Sequence, residues 1–203
     1  MLQKPYIQVM GEGQLEQLLI HKGTHFSHCI SIGDPGKEMI GLIETSFMDY
    51  LRIEFHDINT TKDMPANENP VPPSMYDVKQ VVRFFNATKN EATGYTIHCH
   101  AGIHRSAAVA LAILYMITGN EKSAMIDFYK ARALGAPNKQ LIKLFDEFLG
   151  SNLTQVSNEM WGKMNGFMKG KIQIDHDDYL DELPAAMERL LQKMYQELNE
   201  TRK

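Results

Sequence analysis

At 203 residues, with 43% hydrophobic and 23% charged side chains, the chain has the composition of a soluble globule with ample core. Its net charge of −4 excludes a broad basic surface for nucleic acid or anionic membrane, and no apolar run approaches the ~18 residues of a membrane span. Met1 to Met10 lacks a basic stretch followed by an apolar core, and the two cysteines, Cys29 and Cys99, suit a reducing compartment, so a cytoplasmic protein without a signal peptide is expected.

In chain order, Tyr6 to Val9 and Phe26 to Ile32 read as short strands, with a short helix over residues 14–20 between them. Asp34-Pro35-Gly36 makes a turn by its residue types. Met39 to Ile43 and Tyr50 to Phe55 are further strand candidates, the second running into His56-Asp57. From Asp57 to Pro73 there is no periodicity, and a loop of that length in a compact domain is often a lid or binding loop. Ser74 suits a helix N-cap with Asp77 at the capping-box position, and Val78, Val81, Val82 and Phe85 follow at three-and-four spacing. Apolar strands alternating with helices predict an α/β fold. Its mostly parallel sheet of about four to five strands is flanked by helices.

The next stretch is Thr96-Ile97-His98-Cys99-His100-Ala101-Gly102-Ile103-His104-Arg105-Ser106, followed by an apolar helical run from Ala107 to Ile117. It reads as a strand, a tight loop and a helix N-terminus, with a nucleophile at one end of the loop and a cation at the other. Helix N-termini and such nests bind anions, because their N–H groups lack backbone partners and carry partial positive charge. Comparable surroundings lower a cysteine pKa from about 8.5 to roughly 3.5–7.5. A thiolate in a cradle for a dianion points to covalent catalysis on phosphate. The planar fork of Arg105 suits two phosphoryl oxygens, which a lysine cannot bind in that way. Gly102 allows the turn to close.

Beyond it, helices are expected over Glu121 to Leu134 and Asn138 to Leu149. Gly150-Ser151-Asn152 marks a candidate edge between a domain of residues 1–150 and a helical C-terminal extension, 151–203. Val156 to Met168 reads as helical, with no core evident for Met160, Trp161, Met164 and Phe167. In the final helix, Leu183, Met187, Leu190, Leu191, Met194 and Leu198 form an apolar stripe. Over residues 183–200 it either packs back on the core or contacts another subunit or partner protein. Asp175-His176-Asp177-Asp178 is a solvated segment by composition, and neither a metal nor another cofactor is expected.

His98-Cys99-x5-Arg105-Ser106 resembles the signature of the cysteine-dependent protein phosphatases, and is most similar to the compact dual-specificity-type members of bacteria and phages, where Ala-Gly-Ile often precedes the Arg-Ser pair. Ala136-Pro137-Asn138 through Ile142 is similar to the part of the bacterial branch where a Pro-Asn pair introduces the last core helix. The resemblance covers roughly residues 24–150. It implies the phosphatase fold for the 1–150 domain, and phosphate monoester hydrolysis through a cysteinyl-phosphate. Cys99 is then the nucleophile, and His100, Ala101, Gly102, Ile103, His104 and Arg105 hold the phosphate. Ser106 assists the departure of sulfur, and His98 orients the loop from beneath by hydrogen bonding. His100 and His104 either add positive charge below about pH 6.5 or are exposed spacers.

The resemblance also implies a general acid after the strand that ends at Phe55. Asp57 fits, 42 residues before Cys99, a longer spacing than is usual in the small members; Asp63 is the competitor. The loop contains no lysine, whereas inositide-directed relatives commonly carry one, so a phosphorylated protein or peptide is favoured over a phosphoinositide. An RNA 5′-triphosphatase shares the loop but tends to lack the acid. A rhodanese-type sulfur carrier and a phosphate-binding scaffold are the remaining readings. Cys29, among Phe26, Ile30 and Ile32, is read as a buried strand thiol, with a reversible redox partner for Cys99 as the alternative.

Overall fold

The structure, a computed structural model, describes residues 5–58, 69–132 and 135–169. Four strands, β1 (Tyr6–Gly11), β2 (His28–Gly33), β3 (Asp49–Glu54) and β4 (Gly94–Cys99), form one parallel sheet in the order β1-β4-β2-β3. Every residue of β2 and β4 is buried, as expected for central strands covered on both faces. Successive side chains of β2 go to opposite faces. Ile30 and Ile32 join the larger core, while Cys29 joins a smaller one with Met10, Leu15, Ile43 and Phe47.

Helices α1 (Glu12–His21) and α2 (Ile43–Ser46) supply the smaller core. The other face carries α3 (Met75–Thr88), α4 (Arg105–Thr118), α5 (Glu121–Ala131), α6 (Lys139–Leu149) and α7 (Leu153–Lys169). The capping signal at Ser74 is realised: the Asp77 carboxylate accepts from Ser74 N at 2.8 Å and from its hydroxyl at 2.6 Å. Asn138 caps α6 through Leu141 N at 3.0 Å. The central helix α4 is buried from Arg105 to Leu114 and packs against the sheet, α5 and α6, which explains its almost unbroken apolar sequence.

One strand expectation fails. Met39 to Ile43 is not a strand and takes no place in the sheet, whose order is β1-β4-β2-β3. The segment turns instead, with Ile43 N donating to Ile40 O at 3.0 Å, and drops Ile43 into the smaller core. The helix after Gly150 begins at Leu153, and Leu153 and Met160 enter the main core, a burial that the spacing of its apolar residues did not reveal. Asp146 holds its start, accepting from Ser151 Oγ at 2.6 Å, Leu153 N at 2.7 Å and Thr154 N at 2.9 Å. Among the described residues no helix is long and apolar enough to cross a membrane. Asp63, Asp175 to Asp178 and the 183–200 helix lie outside the described residues.

Candidate active site

In a parallel sheet the carboxyl ends of all strands lie at one edge, and ligands bind there. The four ends bring together Gly11 at the close of β1 with Glu12 after it, Asp34 after β2, Phe55 to Asp57 after β3, and Cys99 at the close of β4. The loop from Cys99 to Arg105 sits among them.

The carbonyls of the loop are held from outside. His100 O accepts from Glu12 N at 3.0 Å, Gly102 O from Arg132 Nε at 3.0 Å, Ile103 O from Ala136 N at 3.0 Å, and His104 O from Asn138 N at 3.1 Å. These four carbonyls are engaged by groups outside the loop, which fixes the path of its backbone around a small bowl. Gly102 has φ of +70°, and a Cβ there would stand 2.6 Å from Met10 O. A side chain is therefore excluded both by backbone conformation and by the close approach of β1.

At the bottom, Cys99 Sγ lies 3.2 Å from Ser106 Oγ, and both residues are buried. Arg105, only 3% exposed, donates from Nη1 to Asp34 Oδ1 at 2.7 Å and to Phe55 O at 2.8 Å. Its Nε has no partner among the described residues. The Nη1 corner is thus anchored, and the Nε edge is the side left to meet an oxyanion. Asp34, which the sequence offers only as a turn residue, is the site residue that spacing could not reveal: it stands 71 positions from Arg105.

Asp57 lies at the rim of the bowl. One carboxylate oxygen is 3.0 Å from His104 Nδ1, and the other accepts from Asn138 Nδ2 at 2.9 Å. His104 is therefore more than a spacer, since it joins the loop to the candidate acid. His100 pairs with Glu12 at 3.1 Å, and Lys37 reaches the same carboxylate at 2.8 Å. Burial opposes the ionisation of Glu12, but hydrogen bonds from Lys37 and His100 prevail and hold it below the usual carboxylate value.

The hydrogen bonding expected of His98 is not formed. It is buried on β4, and neither ring nitrogen has a partner among the described residues. Burial pushes its pKa down to about 4, Arg52 adding to the effect and Glu12 opposing it, so the ring beneath the loop is neutral at pH 7. Cys29 and Cys99 are both free. Cys29 is in register with Thr96, three residues short of Cys99 on the adjacent strand, which separates the thiols by roughly 10 Å of strand rise. Burial pushes the Cys29 thiol well up.

The loop from Cys99 to Arg105 thus joins β4, a central strand of the four-stranded parallel sheet, to the central helix α4. Solved structures of dual-specificity-type phosphatases share the fold of this chain. The crystal structure of DUSP15 matches with a TM-score of 0.51 and 21% identity, covering 76% of this chain and 90% of that one. Human DUSP28 matches with a TM-score of 0.51 and 17% identity, covering 71% and 91%. By sequence, no family model and no curated protein matches the chain.

Proposed function

We propose that the chain is a phosphate monoester hydrolase of the protein tyrosine or dual-specificity type, working through a cysteinyl-phosphate intermediate. The observation that carries this reading is the bowl itself: Cys99 Sγ lies 3.2 Å from Ser106 Oγ at its base, and a tethered Arg105 closes its far end.

In the first step the Cys99 thiolate attacks phosphorus in line. The S–P bond forms, the P–O bond to the substrate breaks, and Asp57 hands its proton to the leaving oxygen. Loop amides and the Nε edge of Arg105 stabilise charge on the equatorial oxygens, the largest contribution in such chemistry. In the second step Asp57 takes a proton from a water whose oxygen attacks phosphorus. The S–P bond breaks, inorganic phosphate leaves, and the Ser106 hydroxyl eases the return of the sulfur to its anionic form. A loop without lysine favours a phosphorylated protein over a phosphoinositide, and two free thiols suit the reducing cytoplasm.

The test is hydrolysis of p-nitrophenyl phosphate in EDTA. Turnover that vanadate inhibits and that Cys99→Ser abolishes, while the variant still binds phosphate, is the expected result. Turnover near wild type in Cys99→Ser would remove Cys99 as nucleophile, and a flat trace for the wild type would leave a phosphate-binding scaffold.

A further inference from the structure

The Asp57 carboxyl is held at both oxygens, and its two holders differ in what they can do with a proton. Asn138 is buried, and the helix it caps sets the orientation of its amide: Oδ1 accepts from Leu141 N at 3.0 Å, so Nδ2 is the atom that faces Asp57. From there it donates to Asp57 Oδ1 at 2.9 Å and to Ile58 O at 3.3 Å. An amide nitrogen donates and accepts nothing, so Asp57 Oδ1 is the carbonyl oxygen of the acid. The proton that Asp57 hands to the leaving oxygen therefore sits on Oδ2, the oxygen 3.0 Å from His104 Nδ1.

His104 is itself fixed. It precedes the first residue of α4, and its carbonyl accepts from Asn138 N at 3.1 Å and from Ala108 N at 3.0 Å. Asp57, His104 and Asn138 thus close a ring of three contacts that ties the acid to the phosphate loop. The charged neighbours make a proton hard to keep on a carboxyl alone. Arg105, paired with Asp34, follows His104 directly, Arg132 reaches Gly102 O in the same loop, and Lys139 lines a cavity to which Asp57 and His104 both contribute. Positive charge favours the ionised carboxylate, whereas the first step requires the protonated acid. Tyr129, a neutral phenol, and uncharged side chains of α7 complete that cavity, and His56 is engaged by Val71 N at 3.0 Å.

We propose that His104 is the positioning residue of the general acid, holding Asp57 at the rim through Nδ1 and sharing with it the one proton that the leaving oxygen takes. The proposal rests on the phosphatase reading above. A carboxyl and an imidazole that share a proton titrate as a pair, and the shared proton leaves near the imidazole's ordinary value of about 6.5 rather than the carboxyl's of about 3.9. When the P–O bond breaks, the proton passes from Oδ2 to the leaving oxygen. The pair is left as a carboxylate and a neutral ring, whose one N–H, on Nδ1, donates to Oδ2. The proton taken from water in the second step restores the pair.

The test follows kcat/KM against pH for p-nitrophenyl phosphate and for phenyl phosphate, the second having the more basic leaving oxygen and so the greater need of the acid. His104→Leu is expected to lower kcat/KM about tenfold on phenyl phosphate but only about twofold on p-nitrophenyl phosphate, and to move the basic limb down by about one pH unit. His104→Asn has an amide that can donate to Oδ2 but holds no titratable proton. It is expected to recover most of the loss at pH 5, while its basic limb stays about one unit below that of the wild type. Added to Asp57→Ala, His104→Asn is expected to cost nothing further, because the group it serves is gone. A basic limb unmoved in both single variants, equal losses on the two substrates, or losses that add in the double variant would each overturn the shared proton and leave the hydrolase standing. An Asp57→Ala profile like that of the wild type would do the same. Absence of wild-type turnover on both substrates would instead sink the phosphatase reading, and the pair with it.

Discussion

Arg105 reaches its position through two tethers from different strands, the Asp34 carboxylate after β2 and the Phe55 carbonyl after β3. Removing the guanidinium fork and removing its tether should therefore have separable effects. Arg105→Lys keeps the charge but loses the two-point geometry, and kcat/KM on p-nitrophenyl phosphate is expected to fall about 10²–10³-fold, as for loss of a preorganised oxyanion donor. Asp34→Ala leaves the fork intact but loosely held, with an expected loss of about tenfold, since misplacement costs less than deletion. Equal losses in the two variants would show that Asp34 acts by more than positioning. At Asp57 the prediction concerns a pH profile. Asp57→Ala should lose the basic limb of the kcat/KM profile and about 10²-fold in kcat, with Asp63→Ala close to wild type in both. The opposite pattern would move the acid to Asp63.

Among the elements, α7 shows how a helix after Gly150 is seated on the main core through Leu153 and Met160. Its first turn offers unpartnered N–H groups, and the Asp146 side chain on α6 accepts from two of them and from the Ser151 hydroxyl. Asp146→Ala is expected to lower stability by about 1–2 kcal/mol, as for loss of a strong N-cap, read as a shift in denaturant midpoint. An unchanged midpoint would show that burial of Leu153 and Met160 alone seats the helix. The loop depends on packing in the same way. Its carbonyls are held by the β1–α1 junction, by Arg132 and by the segment that leads into α6, so the loop is shaped by three other parts of the chain.

At the scale of the whole molecule, two histidines are folded away uncharged in the sheet region. Burial lowers His98 to about 4, and lowers His28 as well, although Asp49 and Glu91 oppose it there. An unfolded histidine has a pKa of about 6.5, so as pH falls from there towards 4 the unfolded chain takes up protons that folded His98 does not. Stability must then drop with falling pH through that window, by up to about 1.4 kcal/mol per pH unit for His98, and level off below it. Denaturant midpoints at pH 7 and pH 5 are expected to show this decline, reduced in His98→Gln. A decline of equal size in the variant would assign it to other groups.

Much of the site was legible because its chemistry is local. Cys99, Gly102, Arg105 and Ser106 lie within eight consecutive residues between a strand and a helix, and a short loop of that kind leaves few ways to place them. Ser74 with Asp77, and Asn138 at its helix start, were legible for the same reason, since capping acts over three or four residues. The α/β class followed from apolar strands alternating with helices. What only the tertiary structure decided are the contacts between distant segments: Asp34 on Arg105, His104 and Asn138 on Asp57, the unpartnered His98, and the burial of Leu153 and Met160. None of these has a sequence spacing that encodes it, because each depends on which strand ends the sheet order brings side by side. The expected strand at Met39 to Ile43 also fails for a tertiary reason. Its residues are suited to a strand, but Ile43 opens a short helix and is buried in the smaller core, and which core an apolar residue reaches is a property of the assembled fold.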